Sequence, residues 1–250
     1  MPIKYITFIA LIFAFLLFTF NIYYFFIRRD VGITFYSNKV FHKAKDSVLL
    51  TPEYQDLVDE YYYLNQALGN KPVIVFLGDS LTKQAKVQEY FSDHFVLNRG
   101  IDSDTTVSLL NRLDRNVGNL KIDKLFLLIG HNDLQYRTNS EIVANIKTVL
   151  ERIKARKIYL QSLIPTNAKK KEINFRRNEI NELLKNLCSE TGAEFVDLHK
   201  HFLDEAGGLS TKYSIDGAHL NGAGYQLWRG LIAPKLLEEP TRDGPLNRAK

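Results

Sequence analysis

The sequence predicts an α/β fold: a single three-layer α/β/α domain with a mostly parallel five-stranded sheet, plus an N-terminal transmembrane helix. Three observations predict the domain. Short, continuously apolar runs recur along the chain, helical patterns alternate with them, and Gly78, Gly100 and Gly130 each follow such a run. Strands covered on both faces read as unbroken apolar runs. Their alternation with amphipathic helices indicates a parallel sheet between two helical layers. The runs are Val73–Leu77, Phe95–Leu97, Leu125–Ile129, Ile158–Leu163 and Phe195–Leu198.

The elements follow in order. From Tyr5 to Ile27 there are 23 residues without a charge, bounded by Lys4 and by Arg28 and Arg29. A bilayer is spanned by about 20 apolar residues. The run is too long for a signal-peptide core and no small-residue cleavage site follows it. Residues 1–29 are therefore expected to be a single-pass membrane anchor. Residues 30–70 are expected to form a juxtamembrane linker and a helix. Thr51 suits an N-cap and Pro52 the first helical position. Tyr54, Leu57, Val58, Tyr61 and Leu68 share one face, and Gly69 can end the helix. The main domain is placed at 71–238. Ile142, Val143, Ile146, Val149, Leu150 and Ile153 mark one of its helices, and Tyr225–Leu237 its last. Residues 239–250 are read as a mobile tail. A Lys/Arg count around the anchor favours a cytoplasmic domain.

Three segments carry chemistry: GDSLT at 78–82, GHND at 130–133 and DGAHLN at 216–221. The first two follow apolar runs, where open α/β sheets place their sites. A serine hydroxyl needs a neighbouring base to take its proton. His219 can serve near neutral pH. A buried carboxylate, Asp216, could fix its tautomer. An Asn side chain such as Asn132 can donate to a developing oxyanion. Taken singly, these segments are also common turns and caps. Their order and context point to Ser80, Asp216 and His219 as catalytic residues.

These blocks resemble the SGNH (GDSL-type) hydrolases, within them the platelet-activating-factor acetylhydrolase-like and carbohydrate O-acetylesterase-like branch. The resemblance covers about residues 72–237: VIVFLGDSLT, NRGIDSDTTVSLLNRL (98–113), FLLIGHND (126–133), KIYLQSLIPTN (157–167) and DGAHLNGAGYQLW (216–228). It implies a serine esterase whose oxyanion hole is built by Ser80, Ser103 and Asn132. Ser103 stands where the family usually has glycine, so only its backbone N–H fills that role directly. Asp79 and His131 are candidate substrate contacts. His131 replaces a common threonine, and packing or a hydrogen bond is its bland alternative. The resemblance also implies small O-acyl esters, such as acetylated carbohydrates, as substrates, and an extracytoplasmic domain, against the charge count. A lysophospholipase or thioesterase, an O-acetyltransferase, and a non-catalytic binding module on the same fold are the competing readings.

Composition narrows the partners. The 33 Lys and Arg against 28 Asp and Glu leave a net charge of +5. The densest basic cluster, Lys169–Lys171 with Arg176 and Arg177, lacks interleaved aromatics and reads as a solvated loop, so no nucleic acid is expected. No residues show zinc-type spacing; His199 and His201 read as structural. No metal and no cofactor is expected. Cys188, with Ile180, Leu183, Leu184 and Leu187 at helical spacing, reads as core. The oligomeric state stays open.

Overall fold

The computed structural model describes residues 51–167 and 169–238. The expected anchor over residues 5–27, the linker before Thr51 and the expected tail at 239–250 lie outside the described residues. Among the described residues, no helix is long and apolar enough to cross a membrane.

The strands are β1 (Val73–Gly78), β2 (Val96–Gly100), β3 (Ile122–Leu128), β4 (Ala155–Gln161) and β5 (Glu194–Val196). They form one sheet in the order β2-β1-β3-β4-β5, and every pairing is parallel. The order reverses beside β1, so the carboxyl ends of β1, β2 and β3 open on one crevice. The helices are α1 (Pro52–Gln66), α2 (Ser80–Gln84), α3 (Val87–Tyr90), α4 (Thr106–Val117), α5 (Asn139–Arg152), α6 (Lys171–Thr191), α7 (His199–Phe202) and α8 (Gly222–Leu237).

Side chains alternate across each strand, and β1 divides accordingly. Val73, Val75 and Leu77 enter a core with Leu109 and Leu113 of α4, Ile146 of α5 and Leu184 of α6. Ile74 and Phe76 enter a second core with Leu81, Phe91, Trp228 and Ile232. On that second face, Phe91, Phe76, Phe126 and Tyr159 stack in sequence, with centroids 5.7, 4.8 and 4.7 Å apart. Each such aromatic contact adds about 0.5–1.5 kcal/mol beyond area burial.

Several boundaries differ from the sequence expectation for visible reasons. β3 and β4 each start three residues early, at Ile122 and Ala155. The second residue of each carries a charge, and the two pair between these neighbouring strands, Arg156 Nε donating to Asp123 Oδ1 at 2.5 Å. β4 ends at Gln161, and the next residue makes the last ties to β5 and its exit: Ser162 N–H donates to Val196 O at 3.0 Å and Ser162 Oγ accepts the N–H groups of Leu198 and His199. α8 starts at Gly222 and not Tyr225, since Asn221 caps it by accepting Gly224 N–H at 3.0 Å. Leu183 is 41% exposed and leaves the predicted core, whereas Cys188 is buried, which pushes its thiol up to about 11. His199 Nδ1 lies 2.9 Å from Leu163 O, as a structural histidine would.

The basic cluster is a real correction. Arg176 and Arg177 lie on α6, not in a solvated loop. Arg176 donates to Leu134 O, Arg137 O and Asn139 Oδ1, and Arg177 is 7% exposed. The turn after β3 needs donors for its free carbonyls, and α6 supplies them.

Candidate active site

Ser80 is the first residue of α2, directly after β1. Asp79 caps that helix, its Oδ1 accepting Leu81 N–H at 3.0 Å. Gly78 is required by close approach: a Cβ there would lie 2.0 Å from Leu128 O. The turn therefore packs against the end of β3 and fixes the direction of Ser80.

Ser80 Oγ lies 3.2 Å from His219 Nε2, and His219 Nδ1 lies 2.7 Å from Asp216 Oδ2. An ionised carboxylate only accepts, so Nδ1 carries the proton and Nε2 is left bare toward the serine. Asp216 Oδ1 also accepts the N–H groups of Ala218 and His219, both at 2.8 Å. Hydrogen bonds from the His219 ring, then from His219 N–H, hold the Asp216 carboxyl well below the usual carboxylate range. The carboxylate is 54% exposed, not buried as the sequence reading assumed. Hydrogen bonds from its own loop replace burial as the orienting constraint. That loop is tied down by Thr166 Oγ1 and Asn167 N–H, which donate to Gly217 O at 2.7 and 2.8 Å.

Asn132 follows Gly130, whose φ of +120° suits glycine at the sharp exit from β3. Its Nδ2 donates to Asp104 O at 3.0 Å, so the loops after β2 and β3 are joined. Asp133 strengthens the joint: its carboxylate accepts Thr106 N–H at 2.9 Å and Thr106 Oγ1–H at 2.7 Å. Ser103, in the loop after β2, has φ +61° and is the non-glycine residue with positive φ among the described residues. The adjacent Asp104 is fully buried, accepting from Arg112 Nε and Nη2 at 2.9 and 2.7 Å and from the Tyr54 hydroxyl at 3.0 Å.

A cleft of about 130 Å³ opens over these groups, lined by Asp79, Ser80, His131, Asn132, Thr166, Lys170, Arg177 and His219 among others. Ser103 is not among its lining residues. Asp79 and His131 reach the cleft wall but are built mainly into the scaffold. Asp79 is 1% exposed. His131 Nε2 accepts Ile164 N–H at 3.2 Å, which leaves the ring proton on Nδ1, 3.5 Å from Asp79 Oδ2. His131 thus links the ends of β1, β3 and β4 while also lining the cleft. Burial pushes the Arg177 guanidinium down to about 10, against the nearby Asp79 charge. Among the described residues, no group of three His, Cys, Asp or Glu could hold a metal ion.

The sequence gives no structural role to Asp104, Arg112 or Asp133, and Arg177 reads there only as part of the basic cluster. The first three were visible only as charges inside apolar or motif segments, where a buried pair leaves no periodic trace.

The sequence matches the GDSL-like lipase/acylhydrolase family over residues 76–227. Among solved structures it is similar to a Streptococcus pneumoniae protein named for platelet activating factor. That pair shares 29% identity over 79% of this chain and 99% of the other, with TM-score 0.69. A GDSL-like lipase from Bacteroides thetaiotaomicron shares 23% identity over 72% of this chain and 96% of its own, with TM-score 0.62. An acetyl-xylooligosaccharide esterase from Geobacillus stearothermophilus shares 18% over 71% and 99%, with TM-score 0.59. The last two likenesses concern the fold. No curated protein matches the sequence.

Proposed function

The chain belongs to the GDSL-like lipase/acylhydrolase family and is a carboxylic ester hydrolase, and we propose that it acts through an acyl-serine on Ser80, on short O-acyl esters such as acetylated carbohydrates. The observation that carries this is the aligned series Ser80 Oγ, His219 Nε2, His219 Nδ1 and Asp216 Oδ2, at 3.2 and 2.7 Å.

In this reading His219 Nε2 takes the Ser80 proton as Oγ bonds to the acyl carbon. Asp216 stabilises the imidazolium without taking the proton. The carbonyl oxygen becomes an oxyanion beside Asn132 Nδ2, with the N–H groups of Ser80 and Ser103 as the further donors. Collapse breaks the bond to the alcohol, which leaves with the proton from His219. Water then adds to the acyl carbon, gives a proton to His219 and releases the acid and Ser80.

The cleft, about 130 Å³, supports a short acyl group. Pockets that enclose a drug-sized ligand measure about 300–1,000 Å³, so a long acyl chain has little enclosed space here. Acetyl, butyryl and long-chain esters of one neutral alcohol test the reading. Falling kcat/KM with chain length is expected, and preference for the long chain would overturn it. Fluorophosphonate labelling lost in Ser80→Ala checks the nucleophile.

Residues 5–27 complete the proposal as an uncleaved membrane anchor with the hydrolase domain outside the cytoplasm. The 23 uncharged residues support the anchor. N-terminal sequencing of membrane-extracted protein should read from before residue 5. A start beyond residue 27 would refute the anchor, and protection of the domain from protease in intact cells would refute the side.

A further inference from the structure

We propose that Arg177 and Lys170 form an anion-binding subsite in the catalytic cleft, so that the ester substrate carries a carboxylate or phosphate near its scissile bond. The proposal rests on the reading of Ser80 as the reacting centre and names the substrate class that reading leaves open.

Arg177 lines the cleft although it is 7% exposed. A guanidinium has five N–H donors and no acceptor. One is used, Nη1 donating to Asn174 Oδ1 at 3.2 Å. Nε is sealed from solvent and has no hydrogen-bond partner. Nη2 makes no hydrogen bond either and is not among the sealed atoms, on a residue that lines the cleft. The nearest carboxylate does not close this edge. Asp79 gives one oxygen to Leu81 N–H, while the other stands 3.5 Å from His131 Nδ1 and bonds no donor. Asp79 thus offsets the Arg177 charge through space and leaves its hydrogen-bonding edge free.

Keeping a cation buried with most donors unused is unfavourable unless something offsets it. A scaffold role alone would be filled better by an apolar side chain of similar volume. An incoming anion accepts from the open edge in a setting of low dielectric, where charge-assisted hydrogen bonds are strong. Lys170 is exposed on the same cleft, and its ammonium makes no ion pair among the described residues. It supplies a second positive charge at the mouth. A neutral ester uses neither group.

The test uses the full-length protein and three matched pairs of esters. Acetylated glucuronate against acetylated glucose probes a carboxylate on the alcohol side. Acetylglycerol phosphate against acetylglycerol probes a phosphate there. The methyl half-ester of succinate against methyl butyrate probes an anionic acyl group. The anionic member of at least one pair should be favoured in kcat/KM by about 10- to 100-fold, the range of one hydrogen bond to a charged group. That ratio should fall toward unity in Arg177→Gln and in Lys170→Gln. The exposed Lys170 variant keeps the test valid if Arg177→Gln does not fold. Hydrolysis of every neutral ester with no anionic preference would overturn the subsite and leave the esterase reading standing. Calorimetry of inorganic phosphate binding to Ser80→Ala protein separates the two independently of turnover. Binding weakened by Lys170→Gln supports the subsite, and absence of binding at millimolar phosphate overturns it.

Discussion

Replacing Ser103 by glycine should stabilise the protein and leave the chemistry nearly intact. Ser103 sits at φ +61°. There a Cβ crowds the following carbonyl, at a cost of about 1–2 kcal/mol for an L-residue. Glycine removes that cost but adds freedom to the unfolded chain, worth about 0.4–1 kcal/mol in the other direction. The net gain is therefore about 0–1.6 kcal/mol, centred near 0.8. For a domain of this size the central value appears as roughly 2–3 °C in Tm, at about 2–4 °C per kcal/mol. The Ser103 hydroxyl has no hydrogen bond among the described residues, and glycine keeps the N–H. On a short-chain ester, kcat/KM should therefore stay within about threefold of wild type, under 1 kcal/mol of barrier. Ser103→Ala is the control, since it removes the hydroxyl and retains the strain. It should gain no stability. The assay pairs thermal unfolding with initial rates for both variants. Lower Tm in Ser103→Gly would refute the strain argument. A loss of tenfold or more in both variants would show that the hydroxyl has its own task.

Other outcomes follow from the same geometry. Ser80→Ala should abolish ester turnover with unchanged circular dichroism; His219→Ala should lose a similar amount and the double variant little more, because the pair acts as a unit. Additive losses in initial rate would contradict that. Asn132→Ala should lower kcat by about 10²–10³-fold, and an effect confined to KM would remove Asn132 from the oxyanion. Asp216 has its folded pKa depressed, so its favourable contribution is present above the unfolded value of about 3.9 and is lost only as pH falls through the folded value. The acid limb of kcat/KM should accordingly show no carboxylate inflection near pH 4, and one in the measured profile would refute the assignment. Arg112→Met leaves buried Asp104 without two charge-assisted bonds and should cost about 3–5 kcal/mol by urea unfolding; a loss below about 1 kcal/mol would refute the dependence of that loop on the pair.

The strands were legible because burial on both faces writes itself as apolar runs, and the candidate site was legible because Ser80 and Asn132 follow such runs and His219 stands three residues after Asp216. The starts of β3 and β4 were not. Asp123, Lys124 and Arg156 precede or interrupt the apolar runs, yet strands tolerate charges that pair between neighbouring strands or bond carbonyls, as Lys124 Nζ does with Lys235 O at 3.1 Å. Arg177 was misread for a related reason. Five basic residues within nine positions look like a solvated surface, and only the helix direction shows that two of them turn inward. The Asp216 carboxylate was expected to be buried because burial is one way to orient an acid. Its loop hydrogen bonds do the same at half exposure.

Three of the buried charges, Arg99, Asp104 and Arg112, gather behind one wall of the site. Arg112 donates to Asp104 and also to Gly78 O and Arg99 O, at 3.1 and 3.0 Å. One guanidinium therefore holds the carbonyl just before Asp79 and Ser80, the end of β2, and the residue after Ser103. Helix α1 closes this assembly from outside: the Tyr54 hydroxyl donates to Asp104, the Tyr61 hydroxyl to Gly100 O at 2.8 Å, and Asn65 Nδ2 to Asn116 O at 2.6 Å. A hydrophobic contact could pack α1 in several registers, whereas these bonds accept one, since each leaves a buried polar group unsatisfied if it slips. The helix that the sequence places beside the linker is thus part of what fixes the loop bearing Ser103. Strain at Ser103 is sustained by this network, because a residue in the left-handed region persists only where its surroundings over-determine it.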